Sequence, residues 1–313
     1  MKIVIGTRGS KLALWQAEWI KSELGRIHPD LKVELRKIKT TGDRILDVPL
    51  AKVGGKGLFV KEIEDAMLRR EIDIAVHSMK DVPTEFPDGL HLAVICKRED
   101  PRDAFISQES GEGFRFNGFR ELPEGAVVGT SSLRRACQLL NVRPGLKIEQ
   151  LRGNVDTRLR KLDEGRFDAI ILAAAGIKRL GMAERITEMI PPDVSLPAIG
   201  QGAVGIECRI EDEEVHSIIS PLNHIETSIC VRAERAFLRR LEGGCQVPIA
   251  AYAELSNGRI VMDGLVANIN GERIIKGHAE SAAADFSKLG TGLAEDLLSR
   301  GAREILDEVY GNS

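Results

Sequence analysis

Short apolar runs alternate with amphipathic stretches through the first two thirds of the chain. Lys2 to Thr7, KIVIGT, has the apolar, β-branched character of a buried strand. The turn TRGS follows, and Leu12, Trp15, Trp19, Leu24 and Ile27 then recur at roughly helical spacing behind a capping hydroxyl. Val33 to Lys39 predicts a second strand, Phe59 to Arg70 a helix and Ile72 to His77 a third strand. This alternation is that of a mostly parallel α/β sheet.

The plan returns downstream. Val127-Val128-Gly129-Thr130 followed by SSLRRACQLL echoes Val4-Ile5-Gly6-Thr7 followed by RGSKLALWQA. Leu146 to Gln150 then matches the second strand, Val155 to Glu164 a helix, and Phe167 to Leu172 the third strand. Two similar doubly wound α/β domains are the economical reading. DPRD at 100–103 and PAIGQGAVG at 197–205 read as crossings between them, and the apolar run after Gln201 returns to the first sheet. After Pro221 the pattern changes to a basic amphipathic helix and LEGGCQVP. The strands PIAAYAEL, RIVMDGLVANI and RIIKGHAE, divided by the turns SNG and NG, and a helical tail from Phe286 to Tyr310 complete it. The expected domains are 1–100 plus 199–220, 101–198, and an α+β domain with a small antiparallel sheet at 221–313.

Composition narrows the class. With 313 residues, 43% hydrophobic and 29% charged, the chain has apolar material for two or three cores of ordinary globular type. No signal-type segment or membrane-length apolar run is evident, so the cytoplasm is the expected location. Five cysteines, odd in number and without a CxxC pair, suggest reduced thiols, and the six histidines form no HxH or HExxH pattern that would suggest a metal. A net charge of only −3 does not advertise nucleic acid, so any anion must be met by local basic clusters.

Such clusters are present. GTRGS and GTSSLRR place backbone amides and hydroxyls at helix starts just past parallel strands, where open α/β sheets bind ligands, and Arg8, Arg134 and Arg135 lie beside them. VHSMKDVP gathers His77, Ser78, Lys80 and Asp81 at another strand exit, a grouping that a solvated turn with Asp81 paired to Lys80 would also explain. Arg152, Arg158 and Arg179 fall at corresponding exits in the second repeat. AKVGGKGLF is not a phosphate P-loop, since Leu50 stands where glycine is required and Gly57 where Ser or Thr is; it reads as a mobile loop carrying Lys52 and Lys56. Gly243 reads as the C-cap of the basic helix, and Cys245 beyond it gains no acidification from that helix end. By itself it reads as a buried, inert thiol.

In combination, TRGSKLALWQA, TTGDRILDVPLAKVGGKGLFVKEIE, DIAVHSMKDVPTEFP, VGTSSLRRACQL, LRGNVDTRLRKL, AAAGIKRLG, LPAIGQGAVGIECR and LEGGCQVPIAAYAEL resemble the porphobilinogen deaminase (hydroxymethylbilane synthase) family across nearly the whole chain. The resemblance implies first and second domains like the lobes of periplasmic solute-binding proteins, with the active crevice between them. It implies a dipyrromethane cofactor joined to Cys245 by a thioether and priming the condensation of four porphobilinogen molecules. It also implies Asp81 as the catalytic carboxylate. Arg8, Ser10, Ser78, Lys80, Thr130, Ser132, Arg134, Arg135, Arg152, Arg158 and Arg179 would hold the acetate and propionate arms of cofactor and substrate. A carboxylate about 4 Å from a developing pyrrole cation is worth roughly 4 kcal/mol at an effective dielectric near 20, a rate factor on the order of a thousand. No assembly motif is evident, so a monomer acting on a small molecule is expected. A two-lobed anion-binding protein without chemistry is the competing reading, and it leaves LEGGCQVP unexplained.

Overall fold

The computed structural model describes residues 2–44, 59–111, 113–242 and 247–311. Lys52, Lys56 and Cys245 therefore lie outside the described residues. The chain divides into two compact units, 1–99 with 203–229, and 100–202 with 230–313.

The first unit holds β1 (Lys2–Thr7), α1 (Lys11–Ile27), β2 (Lys32–Lys37), α2 (Thr41–Arg44), α3 (Lys61–Leu68), β3 (Ile74–Ser78) and β4 (Leu90–Ile95). Its sheet has the order β2-β1-β3-β12-β4, where β12 is Val204–Arg209. β1 runs parallel to β2 and β3, whereas β12 is antiparallel to both β3 and β4. The sheet is thus mixed, because β12 enters from a distant part of the chain in the reverse direction. Ile3, Ile5, Ile20, Leu24, Ile74, Val94, Val204 and Ile206 build its core.

The helix α1 keeps its predicted span but turns a different face inward. Gln16, Ala17, Ile20 and Leu24 are buried, while Trp15 is 38% exposed and stacks on Trp19. Positions 16, 17, 20 and 24 lie on one stripe at 100° per residue, so the rings flank that stripe.

The second unit contains β5 (Asp103–Ser107), the small hairpin β6 (Glu109–Ser110) and β7 (Gly113–Phe114), β8 (Val127–Gly129), α4 (Leu133–Val142), β9 (Lys147–Glu149), α5 (Val155–Asp163), β10 (Ala169–Ala173), α6 (Ala174–Arg179) and β11 (Glu188–Ile190). Its five-stranded sheet has the order β11-β5-β10-β8-β9.

The internal repeat reaches the level of single hydrogen bonds. In the first unit the Val4 amide donates to Asp73 Oδ2 at 2.8 Å and the Asp73 amide to the Val4 carbonyl at 2.9 Å. In the second, Val127 and Asp168 make the same two bonds at the same distances. Gly6 and Gly129 match as well. A Cβ on Gly6 would stand 2.3 Å from Ile72 Cδ1, and one on Gly129 2.8 Å from Phe167 Cδ1, so both sites require glycine for close packing.

The second unit also carries α8 (Ile225–Arg240), whose first residues belong to the first unit, and the antiparallel sheet β13 (Ile249–Ser256), β14 (Arg259–Ala267) and β15 (Ile274–Ala282). The predicted tail is two helices, α9 (Phe286–Leu297) and α10 (Arg303–Gly311), separated at Gly301 with φ 100°. Helix α7 (Glu213–Ile219) packs on the first sheet. The predicted cap Gly243 lies outside the described residues, and before it Glu242 is left-handed at φ 55°. The Tyr310 hydroxyl donates to its carbonyl at 2.8 Å and holds it there.

Candidate active-site residues

In the first unit the predicted residues come from two neighbouring strand exits. β1 ends at Thr7, whose buried hydroxyl donates to the Ala13 carbonyl at 3.1 Å and ties the turn to α1. Ser10 caps that helix, accepting from the Ala13 amide at 3.3 Å. The Arg8 guanidinium lies 4.1 Å from the Phe59 ring centroid, a cation–π contact that aims it.

β3 runs into one 3₁₀ turn, Met79–Asp81. Met79 is buried and anchors the turn: its amide donates to the Ala203 carbonyl at 3.0 Å, and its thioether fills space that Gly205 leaves open. Ser78 and Lys80 are half-buried and Asp81 is exposed. No described residue hydrogen-bonds or ion-pairs with the Asp81 carboxylate, so the Lys80 pairing of a merely solvated turn is not seen.

Strand alternation separates His77 from this group. Its Nε2 lies 2.9 Å from Glu207 Oε2 in the interior. Nearby, burial and then the charge of Glu207 push the Glu64 carboxyl up to about 7, against the opposing influence of His77.

In the second unit Thr130 and Ser132 stand at the exit of β8. Thr130 is buried and its Oγ1 accepts from the Ser132 amide at 3.2 Å. Ser132 caps α4 without a side-chain capping bond, which leaves its half-buried hydroxyl available for another partner. Arg152 follows β9 and is half-buried, and Arg158, on the first turn and a half of α5, donates from Nε to the Gly153 carbonyl at 2.7 Å. Arg179 closes α6 beyond β10 and donates to the Gly202 carbonyl at 2.7 Å.

Arg134 and Arg135 converge on a residue that sequence patterns did not single out. Asp103 is fully buried at the start of β5, opposite the last residue of β10. Arg134 contacts its two oxygens at 2.8 and 3.1 Å, and Arg135 Nε donates to Oδ1 at 2.9 Å. Ser195 and Gln201 complete the shell at 2.8 and 2.9 Å. Burial raises the Asp103 carboxyl, but the guanidinium charges and their hydrogen bonds outweigh this and hold it well below the usual carboxylate range. Two cations against one anion leave a net +1 beside the strand exits.

Gln16 was also missed. Buried on α1, it donates from Nε2 to Ser78 Oγ at 2.9 Å and orients that hydroxyl. A glutamine within a helix's apolar stripe is the only sequence signal for it.

Within each unit the candidate donors are cationic and hydroxylic, apart from Asp81 in the first, a chemistry that suits carboxylate groups. The family model "Porphobilinogen deaminase, dipyromethane cofactor binding domain" matches residues 3–217, and "Porphobilinogen deaminase, C-terminal domain" matches 228–299. The chain is 60% identical over 311 residues to a porphobilinogen deaminase of Geobacter sulfurreducens, covering 99% of this chain and 95% of that one. It is likewise 60% identical over 306 residues to one of Geobacter sp. strain M21, covering 98% and 94%. Among solved structures, the substrate-binding protein of a methionine transporter from Streptococcus pneumoniae aligns at 10% identity and a TM-score of 0.45, covering 72% of this chain and 90% of that one.

Proposed function

The chain belongs to the porphobilinogen deaminase family, and from this premise we infer a transferase that joins four porphobilinogen molecules head to tail with loss of ammonia. The product is hydroxymethylbilane, for tetrapyrrole (haem-type) biosynthesis. The non-catalytic anion-binding alternative is not favoured by relatives of this identity over nearly the full chain.

The observation that carries the catalytic assignment is the Asp81 carboxylate. It is exposed at a strand exit on a turn anchored by buried Met79, and no described residue neutralises it. In this reading Asp81 steadies positive charge as it develops on pyrrole nitrogens, an electrostatic role that needs a fixed, uncompensated anion.

The dipyrromethane cofactor, attached through Cys245, supplies the pyrrole carbon from which the product grows. Arg8, Ser10, Ser78 and Lys80 from the first unit, with Thr130, Ser132, Arg152, Arg158 and Arg179 from the second, bind carboxylate arms of cofactor and substrate. Arg134 and Arg135 contribute through the positive charge they retain on Asp103. Lys52 and Lys56, in a segment whose sequence alone suggests a loop, lie outside the described residues. The three domains of the reading are 1–100 with 199–220, 101–198 and 221–313.

No helix among the described residues is long and apolar enough to cross a membrane. The reading is completed by a cytoplasmic monomer whose partner is porphobilinogen, without nucleic acid. Intact-protein mass tests it: the wild-type chain should exceed its sequence mass by a covalent dipyrromethane, and the excess should vanish in Cys245→Ser. A fully active wild-type chain of unmodified mass would overturn the reading.

A further inference from the structure

The first unit brings together three side chains that no linear motif connects. His91 is the second residue of β4, and the antiparallel register places it opposite Cys208 on β12. His216 reaches the same point from α7. The two Nε2 atoms are 3.1 Å apart, and Cys208 Sγ lies 3.6 Å from His91 Nε2 and 3.5 Å from His216 Nε2. The imidazoles stack with centroids 4.8 Å apart at 21°. Cys208 is fully buried while both rings are half-buried, so the cluster is reachable from solvent on the imidazole side.

These separations match one face of a tetrahedral metal site. Zinc binds imidazole nitrogen at about 2.0–2.1 Å and thiolate at about 2.3 Å, so tetrahedral angles place nitrogens about 3.3 Å apart and each nitrogen about 3.5 Å from sulfur. The three candidate ligand atoms lie within 4.8 Å of one another, and shifts of a few tenths of an ångström, with the rings turned toward a common centre, would bring their separations to those of a tetrahedral site. Hydrogen bonding alone needs different tautomers on the two rings, with the thiol and the Arg209 carbonyl, 3.0 Å from His216 Nε2, competing for them.

We propose that His91, Cys208 and His216 form a binding site for a divalent cation of zinc type. The thiolate–imidazole set selects such a metal over magnesium or calcium, which prefer oxygen. Water or the Arg209 carbonyl supplies the fourth position. Burial, followed by the Asp212 charge, pushes the Cys208 thiol up to about 12, so the metal-free thiol holds its proton. On binding, the S–H bond breaks, its proton passes to solvent, and sulfur donates its electron pair to the cation.

The site is separate from the candidate catalytic edge. On β3, Val204 pairs with Ser78 and Cys208 with Ile74, four residues or about 13 Å along the strand. The metal therefore pins α7 to β4 and β12 and touches no substrate.

The test titrates Co2+, a spectroscopic stand-in for zinc, into the chelator-treated full chain. Expected are tetrahedral d–d bands and a thiolate-to-cobalt charge-transfer band saturating at one metal per chain, displaced by Zn2+ and unaffected by Mg2+. Cys208→Ala should abolish the charge-transfer band, and His216→Gln, on the half-exposed helix, should weaken binding at least tenfold. Circular dichroism would verify that both variants fold, and their deaminase activity in excess chelator should match that of wild type. Absence of a charge-transfer band in the wild-type chain at 1 mM Co2+, or its persistence in Cys208→Ala, would overturn the proposal and leave a hydrogen-bonded cluster.

Discussion

The Asp168 carboxylate accepts the Val127 amide at 2.8 Å and returns a bond from its own amide to the Val127 carbonyl, as Asp73 does with Val4. In each unit this pair locks a residue of an inner strand, Val4 in β1 and Val127 in β8, to the residue just before the neighbouring strand. Asp168→Ala should lower unfolding free energy by about 1–3 kcal/mol, the cost of leaving a part-buried amide unpaired. Asp168→Asn, which keeps an acceptor, should recover most of the loss. Urea denaturation midpoints of the two variants would decide; equal midpoints for Ala and wild type would show the bond to be dispensable.

Asp103→Ala should be more damaging, on the order of 3–5 kcal/mol, because it strands two buried guanidiniums. The carboxyl's folded pKa lies below its ordinary value of 3.8. Its stabilisation is therefore present above the unfolded pKa and is lost as pH falls from there toward the folded one. Acid unfolding should accordingly lose this contribution only below about pH 4, checked by comparing wild-type and variant denaturation midpoints at pH 7 and pH 3.

Glu64 has the opposite sign. Its carboxyl is raised from 4.5 to about 7, chiefly by burial. The stability it contributes when protonated is complete below the unfolded value of 4.5 and is lost as pH rises through about 7. Glu64→Gln, permanently neutral, should gain thermal stability relative to wild type on going from pH 5.5 to pH 8.5. A constant difference in midpoint across that range would show that Glu64 does not titrate there.

Asp81→Asn should keep its covalent cofactor mass and lose turnover by a factor on the order of a thousand, since the amide preserves shape and removes charge. Single-turnover rates are the measurement that matters. A rate near that of wild type would remove Asp81 from the chemistry.

Local period and turn chemistry were sufficient for the strands Lys2–Thr7 and Ile249–Ser256, the span of α1, the repeat built on Gly6 and Gly129, and the strand exits that carry Arg8, Ser10, Thr130 and Ser132. Those features depend on neighbours within a few residues, so the amino-acid order determines them directly. Which face of α1 goes inward depended on what waited there, and Gln16, Ala17 and Ile20 displaced Trp15. The reversed insertion of β12, the meeting of Asp103 with Arg134 and Arg135, and the convergence of His91, Cys208 and His216 all join segments far apart in sequence. Which distant strand or helix becomes a neighbour sets such meetings, and the period within a single segment carries no record of that choice.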